Sequence, residues 1–203
     1  MKYKKLLAAL LAVGLLAGCS SAPSETAPSD EPSAAASPSV EPSEEPAGEP
    51  LGEFTTQDIN GTEYTQEMFG DFDLTLVNIF ATWCSPCVAE MPELEELYQE
   101  LKDRDVNVVG FVLDGVDVNG EVVPESLTQA QKLVEETGVT YPVLLPDSTF
   151  LNGRLMGIMA VPETFFVDKN GNMVGKVYRG SGSYEDWLAV VEEELAALEE
   201  SAS

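Results

Sequence analysis

Two thiols stand two residues apart in Trp83-Cys84-Ser85-Pro86-Cys87. Before them runs the apolar stretch 74–80, which reads as a strand buried on both faces. After them Val88, Met91, Leu94, Leu97, Tyr98 and Leu101 recur at spacings of three and four, which predicts a helix over 85–102. Cys-x-x-Cys at a strand-to-helix junction is the layout of a thiol–disulfide redox site. Cys84 then heads the helix, where unpaired N–H groups and the helix dipole favour a thiolate. A partly exposed Cys84 can attack a disulfide, and a buried Cys87 one turn further in can resolve the mixed disulfide. Ser85 and Pro86 tune the potential, and Pro86 suits an early helical position that needs no N–H. A structural disulfide at this spacing would close too small a loop to restrain the unfolded chain much, so the redox reading is preferred.

The elements that must hold this pair follow from patterning. Residues 54–69, with Asn60-Gly61 as a turn signal, read as a short hairpin leading into a helical turn. Pro92 should kink the 85–102 helix, because it removes one backbone bond. An apolar strand is expected over 106–113, followed by a loop over 114–124 with a small hairpin at Asn119-Gly120. A helix over 126–137 is expected with Ser126 as N-cap and Gly138 as terminator. Residues 143–145 read as a short strand and 149–158 as a short helix. Strands 164–167 and 173–178 form a hairpin around Asp168-Lys169-Asn170-Gly171, and 183–198 is a final amphipathic helix. The resulting fold class is α/β: a thioredoxin layout with a central mixed sheet, helices on both faces and an N-terminal hairpin extension.

The rest of the chain bounds the biology. Residues 1–18 read as a secretory signal, with Lys2, Lys4 and Lys5 ahead of an apolar run from Leu6 to Leu16 that is too short to span a membrane comfortably. Leu16-Ala17-Gly18-Cys19 resembles a bacterial lipobox, which implies a lipid anchor on Cys19. Residues 19–50 hold 7 of the 13 prolines, 7 acids and no base, and read as a disordered tether. The folded domain is expected over 51–203. The three cysteines are then all assigned. The chain has no histidine, which excludes His-based catalysis and argues against most transition-metal sites, because two thiolates alone do not complete a tetrahedral site. No cofactor is expected beyond the Cys84–Cys87 disulfide. The net charge of −26 excludes a nucleic-acid partner.

The segment Asn78-Ile79-Phe80-Ala81-Thr82-Trp83-Cys84-Ser85-Pro86-Cys87-Val88-Ala89-Glu90-Met91-Pro92 resembles the TlpA/ResA-like branch of the thioredoxin family. Val161-Pro162-Glu163-Thr164-Phe165 resembles the family's cis-proline loop. The resemblance spans most of 51–198. It implies a cis peptide before Pro162, which leaves the Val161 backbone available to an extended substrate. It also implies that Glu90, three residues beyond Cys87, is the proton acceptor or pKa modulator, since Asn78 stands where many thioredoxins carry a buried aspartate. The competing reading makes Glu90 one more acid beside Glu93, Glu95 and Glu96. Trp83 is either part of the docking surface or core filler. Met156, Ile158 and Met159 either line a substrate groove or pack in the core.

The function implied is that of a membrane-tethered extracytoplasmic reductase of protein disulfides, such as those of apocytochrome c or an oxidised methionine sulfoxide reductase. A membrane thiol donor of the CcdA/DsbD type is its implied electron source. The alternatives are a dithiol oxidase or isomerase of the cell envelope and a Cu(I)-handling protein, the last disfavoured because such proteins add a histidine. A peroxidatic role lacks the Pro-x-x-x-Thr-x-x-Cys arrangement it needs.

Overall fold

A computed structural model describes residues 40–43 and 48–201. The signal segment, Cys19 and most of the expected tether lie outside these residues. In chain order the elements are β1 (Glu41–Ser43), β2 (Thr55–Gln57), β3 (Glu63–Thr65), β4 (Leu74–Phe80), α1 (Ser85–Leu101) and β5 (Val106–Val112), then α2 (Pro124–Thr137), β6 (Val143–Leu144), α3 (Ser148–Asn152), β7 (Glu163–Asp168), β8 (Met173–Arg179) and α4 (Tyr184–Ser201). A 3-10 turn over Gln66–Asp71 links β3 to β4.

Six strands make the main sheet, in the order β1-β8-β7-β4-β5-β6, and β2 with β3 forms the separate hairpin. β4 lies parallel to β5, pairing Leu74 with Val106 through Phe80 with Val112, and antiparallel to β7. Every residue of β4 and β5 is buried, as expected of strands covered on both faces. The pleat divides them between two cores. Leu76, Phe80, Val108 and Phe166 face a core shared with Met91 and Leu94 of α1 and Trp187 of α4. Val77, Ile79, Phe111 and Phe165 face a second core with Phe54, Phe69 and Phe150. In that second core Phe111 and Phe150 have ring centroids 4.5 Å apart.

Two expectations are corrected. First, the domain starts earlier than residue 51. Glu41–Ser43 pairs antiparallel with β8, the Gly48 N–H donates to the Met173 carbonyl at 2.6 Å, and Pro50 bridges Asn172. The edge of β8 offers unpaired backbone groups, and a polar segment can satisfy them without any apolar side chain. Composition, which weighs side chains, cannot register such pairing. Second, α2 begins at Pro124, with Val123 at the N-cap position and no side-chain cap, so Ser126 lies inside the helix. Proline at N1 fixes the helical φ and lacks only an N–H that would be orphaned there. Gly138 ends α2 as expected, with φ of +75°.

Candidate active site

Cys84 occupies the N-cap position of α1, and its sulfur accepts from the Cys87 N–H at 3.3 Å. The two cysteines are joined as a disulfide. The approach to them is fixed from the neighbouring strand end. The Thr82 N–H and hydroxyl both donate to the Asp114 carboxylate, at 2.9 and 2.6 Å. The Val161–Pro162 peptide is cis, and the Val161 carbonyl oxygen lies 3.5 Å from the Cys84 sulfur. Pro86 is exposed on the first turn.

Cys84 is less open than expected, at 5% exposure, and Cys87 is buried beside it. The exposed neighbour is Trp83, at 72%, which rules out its reading as core filler. Met156 and Met159 are likewise exposed, the latter at 94%, whereas Ile158 packs against the second core. The three residues thus divide between the two readings.

Glu90 is buried, at 1% exposure, on the α1 face turned to the sheet. Its Oε2 accepts from Asn78 Nδ2 at 3.1 Å, and its Oε1 accepts from the Gly182 N–H and Trp187 Nε1, each at 2.8 Å. Asn78 also donates to the Thr164 hydroxyl at 3.0 Å, tying β4 to β7 beneath the carboxylate. Burial pushes the Glu90 carboxyl up to about 7, against the three hydrogen bonds, which lower it. A carboxyl titrating near neutrality matches proton exchange with a thiol at that pH. The reading of Glu90 as one more solvated acid does not survive its burial.

Sequence reasoning missed Trp187 and Gly182 as partners of Glu90. Trp187 reads as one apolar position of an amphipathic helix, and its link to Glu90 spans 97 residues. Gly182 fits because a Cβ there would meet Trp187 Nε1 at 2.9 Å and Val40 Cγ2 at 2.7 Å. The start of α4 is set by a reciprocal cap: the Ser183 N–H donates to Asp186 Oδ2 at 3.0 Å, and the Asp186 N–H donates to Ser183 Oγ at 3.2 Å. Among the described residues no cluster of three or more His, Cys, Asp or Glu could hold a metal ion.

A parallel β4–β5 pair, an antiparallel β7–β8 hairpin, and a dithiol at the head of α1 facing a cis proline define the thioredoxin-like thiol–disulfide oxidoreductases as the class. The chain belongs to the AhpC/TSA family, whose pattern matches residues 47–176. It is 30% identical over 135 residues to the thiol-disulfide oxidoreductase ResA of Geobacillus thermodenitrificans, covering 66% of this chain and 70% of that one. To the thiol:disulfide interchange protein DsbE of Haemophilus influenzae it is 31% identical over 124 residues, covering 61% and 60%. Among solved structures, a thiol:disulfide interchange protein from Chlorobium tepidum superposes with a TM-score of 0.59 at 25% identity, covering 75% of this chain and 99% of that one.

Proposed function

We propose that this chain is an extracytoplasmic reductase of protein disulfides, held at the membrane through a lipid on Cys19. The observation that carries the reading is the Cys84–Cys87 pair at the head of α1, set against the Val161 carbonyl and backed by buried Glu90. In the reduced protein the Cys84 thiolate attacks a substrate cystine. One substrate thiolate leaves and a mixed disulfide forms. Glu90 takes the proton of Cys87, whose thiolate attacks the Cys84 sulfur and expels the second substrate thiolate. The substrate gains two electrons and the protein ends as the disulfide. Trp83, Pro86, Val161 and Pro162 form the surface that meets the substrate. A membrane thiol donor of the CcdA/DsbD type returns the electrons. Apocytochrome c and oxidised methionine sulfoxide reductase are the substrate types proposed; the ResA- and DsbE-named relatives support thiol–disulfide exchange as the reaction.

The test is the equilibrium potential of the Cys84–Cys87 couple against glutathione or dithiothreitol. A reductase should lie near or below about −270 mV; a value near −120 mV overturns the direction and favours the oxidase reading. In parallel, Cys87→Ser should accumulate mixed disulfides on Cys84, seen by non-reducing electrophoresis, and Cys84→Ser should be inert. Full turnover by Cys87→Ser would remove the resolving role.

A further inference from the structure

Glu163 follows the cis proline directly and is 2% exposed, yet its side chain takes no part in the network around Glu90. It shares strand parity with Phe165 and Val167, which face the second core, while Thr164 and Phe166 face the α1 side. Two cations bracket it. Arg154 Nη2 lies 3.0 Å from one carboxylate oxygen and Arg179 Nε 3.1 Å from the other. Arg154 comes from the turn after α3, and its guanidinium carbon stacks 4.3 Å from the centre of the Phe165 ring. Arg179 ends β8, and the next residue, Gly180, donates its N–H to the Pro162 carbonyl at 3.1 Å. These three charged side chains border a cleft of about 350 Å³ that Met156 and Ile158 also line.

Residues 51–203 hold 7 basic side chains against 29 acidic ones, and two of the seven lie on this one carboxylate. Burying a carboxylate is costly unless it is paired, and breaking such a pair leaves an uncompensated charge. The arrangement therefore fixes three places at once: the start of β7, the end of β8 and the turn that carries exposed Met156. Met159, also exposed, lies two residues before Val161, whose carbonyl touches the Cys84 sulfur.

We propose that Glu163 is a positioning residue for recognition of protein disulfides: through Arg154 and Arg179 it holds the Met156–Met159 segment in register with the Val161–Pro162 loop, so that a folded partner meets one fixed apolar surface beside the sulfurs. The proposal rests on the oxidoreductase reading. It concerns docking and leaves the dithiol chemistry to Cys84, Cys87 and Glu90. A disulfide too small to reach Met156 and Met159 is accordingly indifferent to the bracket.

The experiment compares reduction of insulin with reduction of the small disulfide 5,5′-dithiobis(2-nitrobenzoic acid) by the full chain and by Glu163→Gln, Arg154→Met and Arg154→Lys. For Glu163→Gln and Arg154→Met the KM for insulin should rise about fivefold, with kcat and the small-disulfide rate within about twofold of wild type. Arg154→Lys, which keeps the charge, should recover at least half of that loss. Unchanged insulin KM in the two variants overturns the proposal, as does equal slowing with both substrates. Should Glu163→Gln fail to fold, Arg154→Met, which leaves the Arg179 pair in place, decides by the same criteria. A wild-type chain that reduces neither substrate instead overturns the oxidoreductase reading, and the positioning role with it.

Discussion

The proton-acceptor role proposed for Glu90 has a counterpart in stability, because the same carboxyl titrates differently in the folded and unfolded chain. Its ordinary value of 4.5 is raised to about 7 in the fold, with burial as the largest cause. Between those two values the folded chain holds a proton that the unfolded chain has released. This contribution is therefore fully present below pH 4.5 and is lost as pH rises through 7, by an amount on the order of 3 kcal/mol. Burial also raises Tyr141, helped by the charge of Glu90, so that phenol stays neutral throughout the window. Glu90→Gln should flatten the pH dependence of thermal stability between about pH 4.5 and 7. It should also slow disulfide reduction by about 10²-fold or more at neutral pH, as expected when a positioned proton acceptor is removed. The amide is accommodated if Asn78 turns its oxygen toward it, since the Thr164 hydroxyl can then donate where it now accepts. Stopped-flow reduction across pH and calorimetry of both proteins check the two parts. A stability curve with the same slope in both would refute the assignment of the titrating group.

At the scale of elements, α2 starts without a side-chain cap. Val123 stands at the N-cap with φ of −92° and ψ of 104°, the extended conformation that a serine cap adopts. Val123→Ser should therefore stabilise the domain by about 1 kcal/mol and raise the thermal midpoint by roughly 2–4 °C, read by calorimetry. A lower midpoint would mean that the valine's apolar contacts outweigh the cap. The same element shows how far the sequence could be read. Hydrophobic patterning located α1 and α4 to within a few residues, because each buries one apolar stripe, and the terminator Gly138 located the end of α2. β4 and β5 were legible as continuous apolar runs, and the turn at Asn119-Gly120 appears as the Val116–Val122 bridge with a hydrogen bond from the Asp117 N–H to Glu121. What escaped the pattern was held by backbone geometry or by distance along the chain. Residues 41–43 join the sheet through main-chain pairing, and the start of α2 answers to Pro124 rather than to Ser126. At the site, Cys84 and Cys87 were visible from their spacing at the head of one helix, and Glu90 from its place one turn beyond Cys87 together with the family resemblance. Trp187 and Gly182 were not, since only the fold brings α4 onto α1.

At the scale of the whole molecule, the charge balance predicts how partners approach. Residues 51–203 carry 29 acids and 7 bases, and such a field draws basic partners and repels acidic ones. Raising the salt from about 20 mM to about 500 mM contracts the screening length severalfold, which should lower kcat/KM for a basic disulfide protein and raise it for an acidic one. The rate with an uncharged small disulfide such as 2-hydroxyethyl disulfide should move far less. Parallel salt responses for basic and acidic substrates would show that the surface field has no part in association.

The indole of Trp187 reaches Glu90 from the last helix in chain order, 97 residues after its partner. In chain order the sulfurs, the strand beneath them and the proline loop all precede that indole. Until α4 docks, the Glu90 carboxylate lacks both the cover and two of the donors that set its acidity. A chain whose last helix is undocked thus owns the cysteines without the buried, covered carboxyl beside them.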